Sequence, residues 1–157
     1  MHNSSMIEMS KFVETYLDRT RTLNILDVGS YNVNGTYKVF FDSQRWSYTG
    51  MDIEPGPNVD IVGWNNVVDT YDVIVSGQCM EHVNRPWEWI RQVNKHTVPG
   101  GLICIIAPHT WGEHRFPIDT YRYFPDGMRD LFNWAGIDEI DIYRNNTDTV
   151  GIGYGTV

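Results

Sequence analysis

Residues 23–37, LNILDVGSYNVNGTY, decide the fold. Leu23, Ile25, Leu26 and Val28 form an apolar run that carries one acid, Asp27, near its end. Gly29, small polar residues, Gly35 and a helix-like start at Thr36 follow. The pattern predicts a buried strand that passes into a helix through a loop open to close approach by a ligand. At the carboxyl edge of a parallel sheet, such a turn is where open α/β folds bind ligands.

Working outward, the same alternation recurs. Met6, Ile7, Met9, Phe12, Val13, Tyr16 and Leu17 fall at helical spacing and predict an amphipathic helix over about 5–18, lying over one end of the sheet. A helix is expected to start at Thr36, with Val39, Phe40 and Phe41 available for packing. Strands are predicted at 47–53, 59–62, 71–75 and 102–107, with a loop or a single helical turn at 63–70. Asn84 and Pro86 suit a helix start, Ile90 and Val93 its buried stripe, and Pro99-Gly100-Gly101 its stop. Pro125 opens a last helix that Gly136 ends. Residues 138–143 and 150–156 then pair around the turn 145–149. Strands alternating with helices imply an α/β fold with a mostly parallel sheet covered on both faces, and the closing hairpin makes the last strand antiparallel.

At 157 residues the chain is expected to form a single domain, 1–157, around one core. Its net charge of −8 disfavours nucleic acid as a partner, because a phosphate backbone would meet like charge. No apolar run reaches membrane-spanning length and no signal pattern opens the chain, so a soluble, unprocessed protein with no membrane insertion is expected. Two cysteines, Cys79 and Cys104, are too few for a disulfide framework and fit a cytoplasmic location.

The candidate site residues gather at predicted strand ends. A pyrophosphate loop wants three glycines in G-x-G-x-x-G, whereas here Tyr31 and Val33 leave only Gly29 and Gly35. Asp27, just before Gly29, suits a cationic amine better than a phosphate. Asp52 lies 23 residues after Gly29, at a strand end where an acid can accept from two ribose hydroxyls. Trp64 could cover an adenine or serve packing. Ser76, Gly77 and Gln78 follow the next strand, and His82 could act as a base or fix its loop. The segment 108–125, too long for a simple connection, holds His109, His114, Arg115, Asp119, Tyr121 and Arg122. Its imidazoles could deprotonate an acceptor hydroxyl, while Asp119 and Arg122 equally suit an ion pair. No tight His/Cys/Asp pairing recurs, so no metal site is expected. No Asn/Asp-Pro-Pro-aromatic motif for methylating base amino groups occurs.

Taken together, the runs 27–37, 48–62, 76–82 and 107–128 resemble a class I S-adenosylmethionine-dependent methyltransferase, more narrowly the methyltransferase-type-11-like group often associated with glycan biosynthesis clusters. The resemblance implies a Rossmann-like three-layer sandwich with a seven-stranded sheet and S-adenosyl-L-methionine as cofactor. It implies that Asp27, Gly29 and Ser30 face the methionine end, that Asp52 and Ile53 hold the ribose and flank the adenine, and that Ser76, Gly77 and Gln78 border the sulfonium. The family usually carries an acid after Val62, where this chain has Gly63-Trp64. The expected activity is O-methylation of a small-molecule or sugar-containing, glycan-related acceptor, with His109, His114 or His82 as base. A cofactor-binding but inactive protein and a nicotinamide-dependent oxidoreductase are the alternatives.

Overall fold

The computed structural model describes residues 2–156. Among them, seven strands form one sheet: β1 (Leu23–Val28), β2 (Trp46–Asp52), β3 (Ile61–Val62), β4 (Tyr71–Gly77), β5 (Thr97–Pro108), β6 (Asp138–Arg144) and β7 (Asp148–Tyr154). Their order is β3-β2-β1-β4-β5-β7-β6. The first five are mutually parallel, whereas β7 runs antiparallel to both β5 and β6. The expected α/β Rossmann-like architecture, with its reversed last strand, is the observed one.

The central strands are apolar on both faces because both are covered. On one face Leu26, Ile74 and Ile105 meet Ile90 and Val93 of α2 (Pro86–Lys95) and Met128 and Phe132 of α3 (Pro125–Ala135). On the other, Ile25, Val73, Cys104 and Ile106 meet Met9, Phe12 and Val13 of α1 (Asn3–Tyr16) together with Tyr37. Each fully buried aliphatic side chain contributes about 1.5–3 kcal/mol, so these two layers hold the strand ends that carry the site.

Several boundaries differ from the sequence-based expectation, and connection length explains most of them. Helix α1 ends at Tyr16 rather than near residue 18, because Leu17 is already extended and Asp18 turns the chain by accepting from Thr20. Ile7 faces solvent at 59% exposure. The helix expected from Thr36 is a single 3₁₀ turn, Tyr37–Phe40, since the chain must enter β2 at Trp46. Tyr37 is fully buried there while Val39 is exposed. The third strand is only Ile61–Val62, because Asp60 is used to bond Gly50. The Pro99-Gly100-Gly101 stretch lies inside β5, tolerated by a register shift between Tyr71 and Val73 on its neighbour.

Candidate functional site

The turn after β1 is tied to its neighbours at the carboxyl edge. Gly29, at φ 82, and Ser30 both donate their N–H groups to the Met51 carbonyl, at 2.8 and 3.1 Å. Ser30 Oγ donates to the Asn58 carbonyl, and Asn58 Nδ2 returns bonds to Ser30 O, Thr36 Oγ1 and Tyr48 Oη. The loop after β2 is thereby stitched over the turn after β1. Asp52 is aimed by two backbone donors, Tyr31 N at 3.0 Å and Ile53 N at 2.7 Å. It lines a cleft of about 110 Å³ with Tyr31, Ile53, Glu54, Phe116 and Pro117. Asp27, by contrast, is 2% exposed and accepts the Tyr48 hydroxyl. Burial pushes its carboxyl up to about 7, with Asp52 adding to the rise and the Tyr48 bond opposing it.

Next door, the end of β4 is packed tightly. Ser76 Oγ donates to the Val28 carbonyl and joins β4 to β1. A Cβ on Gly77 would fall 1.6 Å from Tyr37 Oη, and one on Gly29 would fall 2.6 Å from the Cys79 side chain. Both glycines therefore admit neighbouring side chains. Gly35 is exposed and closes a turn by donating to Asn32 Oδ1. Gln78 has a left-handed backbone at φ 55. Its Nε2 donates to Asp148, while its Oε1 is buried and has no hydrogen-bond partner among the described residues.

The long segment after β5 folds back onto the turn Met80–His82. Thr120 donates its N–H to the Glu81 carbonyl and its hydroxyl to the Glu81 and Val83 carbonyls, and Tyr123 Oη donates to Met80 O. Asp119 takes a two-pronged bond from Arg122 at 2.7 and 2.8 Å and a third from the His114 amide. The guanidinium holds this carboxylate far below its usual range. His114 is thereby carried to 3.7 Å, Nε2 to Oε2, from Glu81. His82 Nε2 lies 3.8 Å from the same oxygen, and the two imidazoles meet edge to face at 4.8 Å. Burial lowers the pKa of His82 and raises that of Glu81 to about 8.

His109 stands apart from this cluster. Its Nε2 donates to Asn145 O, its Nδ1 pairs with Thr110 Oγ1, and its ring stacks on Phe124. Trp64 is half-buried, stacks on His96 at the end of α2 and adjoins the core. No metal site was expected because no tight ligand pairing recurs along the chain, yet the fold brings three possible ligands together. Ligand atoms of Glu81, His82 and His114 all lie within 4.8 Å of one another. Chain spacing hid this trio because the third member arrives through the Thr120 and Asp119 bonds.

Glu81, Tyr48, Asn58 and Phe116 were not singled out in the sequence. Only the adjacency of Glu81 to His82 offered a signal. A separate cavity of about 160 Å³ lies at the opposite, amino edge between the end of α1 and the starts of β1, β4 and β5. It carries none of the predicted site residues. Among the described residues no helix is long and apolar enough to cross a membrane.

A family model described as a methyltransferase domain matches residues 6–137. No curated protein matches by sequence. Similar solved structures include the 1,6-didemethyltoxoflavin-N1-methyltransferase of Burkholderia thailandensis with bound 1,6-didemethyltoxoflavin and S-adenosylhomocysteine. It has a TM-score of 0.76 and 16% identity, with 98% of this chain and 79% of that one covered. An O-methyltransferase family protein from the same organism gives 0.68 and 14%, covering 96% and 56%. A SAM-dependent methyltransferase from Aquifex aeolicus gives 0.71 and 12%, covering 99% and 100%. At these identities the likeness is one of fold.

Proposed function

The chain belongs to the methyltransferase domain family, as an S-adenosylmethionine-dependent methyltransferase, and on that premise we propose that it methylates a hydroxyl oxygen of a small-molecule or sugar-containing acceptor. The similar structures include an N1- and an O-methyltransferase, so the acceptor atom has to be argued from this chain's own residues.

The cofactor fits two features of the carboxyl edge. Gln78 Oε1, buried and without a partner among the described residues, leaves a carbonyl dipole free to face a positive charge, which the cofactor's sulfonium carries. Asp52, held by two amides at the mouth of the Tyr31–Phe116 cleft, has lone pairs left for ribose hydroxyls. In this reading Asp52 and Ile53 hold the nucleoside, Asp27, Gly29 and Ser30 the amino-acid end, and Ser76, Gly77 and Gln78 the sulfonium side. When bound, the cofactor supplies a methyl group whose bond to sulfur breaks as the bond to oxygen forms, the electron pair returning to sulfur.

What the chain must add is alignment, exclusion of water and a destination for the acceptor's proton. The observation that carries hydroxyl methylation is the state of His82 and His114. Each places Nδ1 on a backbone carbonyl, Ile118 O at 2.6 Å and Gly112 O at 3.0 Å. A carbonyl can only accept, so each Nδ1 carries a hydrogen, and in the neutral ring it is Nε2 that holds the lone pair. Two imidazoles whose neutral tautomer turns Nε2 toward one shared pocket suit an acceptor that must lose a proton.

A transfer assay with radiolabelled S-adenosylmethionine on paired acceptors, one hydroxyl and one amine on each scaffold, tests the reading. Hydroxyl transfer lowered by His82→Ala or His114→Ala is expected. Preferential methylation of the amines would refute the oxygen assignment, and cofactor binding with no transfer to any acceptor would favour an inactive binding protein.

A further inference from the structure

We infer that Glu81, His82 and His114 form a binding site for a divalent transition-metal cation of the Zn²⁺ class. Three acceptor atoms face one another here. Glu81 is 0% exposed, and neither of its carboxylate oxygens meets a hydrogen-bond partner from another residue. The nearest polar atoms are the Nε2 atoms of His82 and His114, at 3.8 and 3.7 Å from Oε2. Both distances exceed a hydrogen bond, so even a protonated carboxyl would leave the group unpaired. In the neutral rings both Nε2 atoms hold the lone pairs, because both Nδ1–H groups are spent on the carbonyls of Ile118 and Gly112.

That is the arrangement metal-ligating histidines adopt, with the remote nitrogen on a carbonyl fixing tautomer and ring direction. A cation about 2.0–2.2 Å from each of three donors needs them roughly 3–3.5 Å apart. The two Glu81–histidine spacings, 3.7 and 3.8 Å, are wider by a few tenths of an ångström, and the three ligand atoms together lie within 4.8 Å of one another, so the half-exposed His114 ring has to turn inward to complete the set. Two imidazoles and one carboxylate form a borderline donor set that suits Zn²⁺, Fe²⁺ or Mn²⁺ and disfavours Mg²⁺, which takes oxygen ligands. The surroundings are mixed in charge: Asp119 and Asp148 oppose Arg122 near Glu81, and His2 lies 6.2 Å, ring to ring, from His114. A buried carboxylate with a positive counter-charge no closer than the solvent-facing Arg122 gains most from a cation in contact with it.

The cation site rests on this donor geometry alone. Its role toward the acceptor rests on the hydroxyl-methylation reading: with both Nε2 lone pairs on the cation, three protein ligands leave a position where a hydroxyl could bind and release its proton to solvent, so that His82 and His114 would then serve as ligands in place of bases.

Chelator-stripped full-length protein titrated with Zn²⁺ and with Mg²⁺ by calorimetry tests the site, with S-adenosylhomocysteine titrated into the same samples. One Zn²⁺ per chain is expected, with Mg²⁺ much weaker and with Co²⁺ giving the visible absorption of a nitrogen- and oxygen-ligated ion. His114→Ala, on a half-exposed loop where folding is least at stake, and Glu81→Gln should each weaken Zn²⁺ about tenfold or more. Both samples are compared by circular dichroism for an intact fold. Absence of Zn²⁺ binding, equal affinity in His114→Ala, or preference for Mg²⁺ overturns the site. If S-adenosylhomocysteine binds and Zn²⁺ does not, the cation site falls and the methyltransferase reading stands.

Discussion

Asp27 is the buried acid around which stability and cofactor binding are expected to couple. Its carboxyl is pushed from the ordinary 3.8 up to about 7 by burial against the apolar layer of Tyr37 and Val73, with only the Tyr48 hydroxyl as a direct partner. The folded-state pKa therefore lies above the unfolded one. Below pH ~4 both states hold the proton and the acid costs nothing. As pH rises to about 7 the unfolded chain releases it while the folded chain retains it, so stability falls through that window and levels off above it. The gap of about three pH units amounts to about 4 kcal/mol in all, of which about 2.5 kcal/mol falls between pH 5 and 8. Replacing Asp27→Asn keeps an acceptor for Tyr48 and removes the titration. Urea unfolding of the wild type and variant, followed by tryptophan fluorescence at intervals from pH 5 to 8, should show the wild type losing about 2.5 kcal/mol relative to the variant. If Asp27 faces the cofactor ammonium, S-adenosylmethionine should bind the wild type with proton release near pH 7 and tighten toward pH 8, and bind the variant without either effect. Parallel stability curves would refute the argument that burial dominates this acid. A wild-type affinity independent of pH would separate Asp27 from the cofactor.

Two further expectations test how the edge is built. In Gly77→Ala the new methyl would sit 1.6 Å from Tyr37 Oη, so the fully buried tyrosine must shift and stability should fall by about 1–3 kcal/mol, nearer the upper figure. An unchanged denaturation midpoint would show that Gly77 is not held by packing. His109→Ala removes a bond to Asn145 and a stack on Phe124, so it should cost about 1 kcal/mol of stability and leave turnover within a few-fold. A selective fall in kcat with stability intact would return His109 to the chemistry.

Much of the fold is legible in short windows because the forces that shape it are local. The runs YDVIV and LICIIA are too apolar to face water and became β4 and the inner half of β5. Gly136 adopts φ 80 where a helix stop was expected, and Pro125 opens α3 at the position anticipated. The turn after Asp27 lies between β1 and the loop of β2, as its composition implied. Where windows failed, distance along the chain was the reason. Phe40 and Val39 looked like a helix face, but the five residues left before β2 admit only one turn. Trp64 could be read equally as ligand cover or packing, and its stack on His96, thirty-two positions away, is visible only in the fold.

The opening stretch and the strand alternation therefore determined the α/β class by themselves, since periodicity and turn glycines act over a few residues, while the methyltransferase family was read from the resemblance of the quoted motifs. The tertiary structure alone decided which side chains converge. Gly29 and Gly77 turned out to accommodate Cys79 and Tyr37, His109 was drawn into its own loop, and His114 was brought to Glu81 across thirty-three positions by the Asp119–Arg122 pair and Thr120. Such meetings depend on the sum of many distant contacts, which no local window of sequence contains.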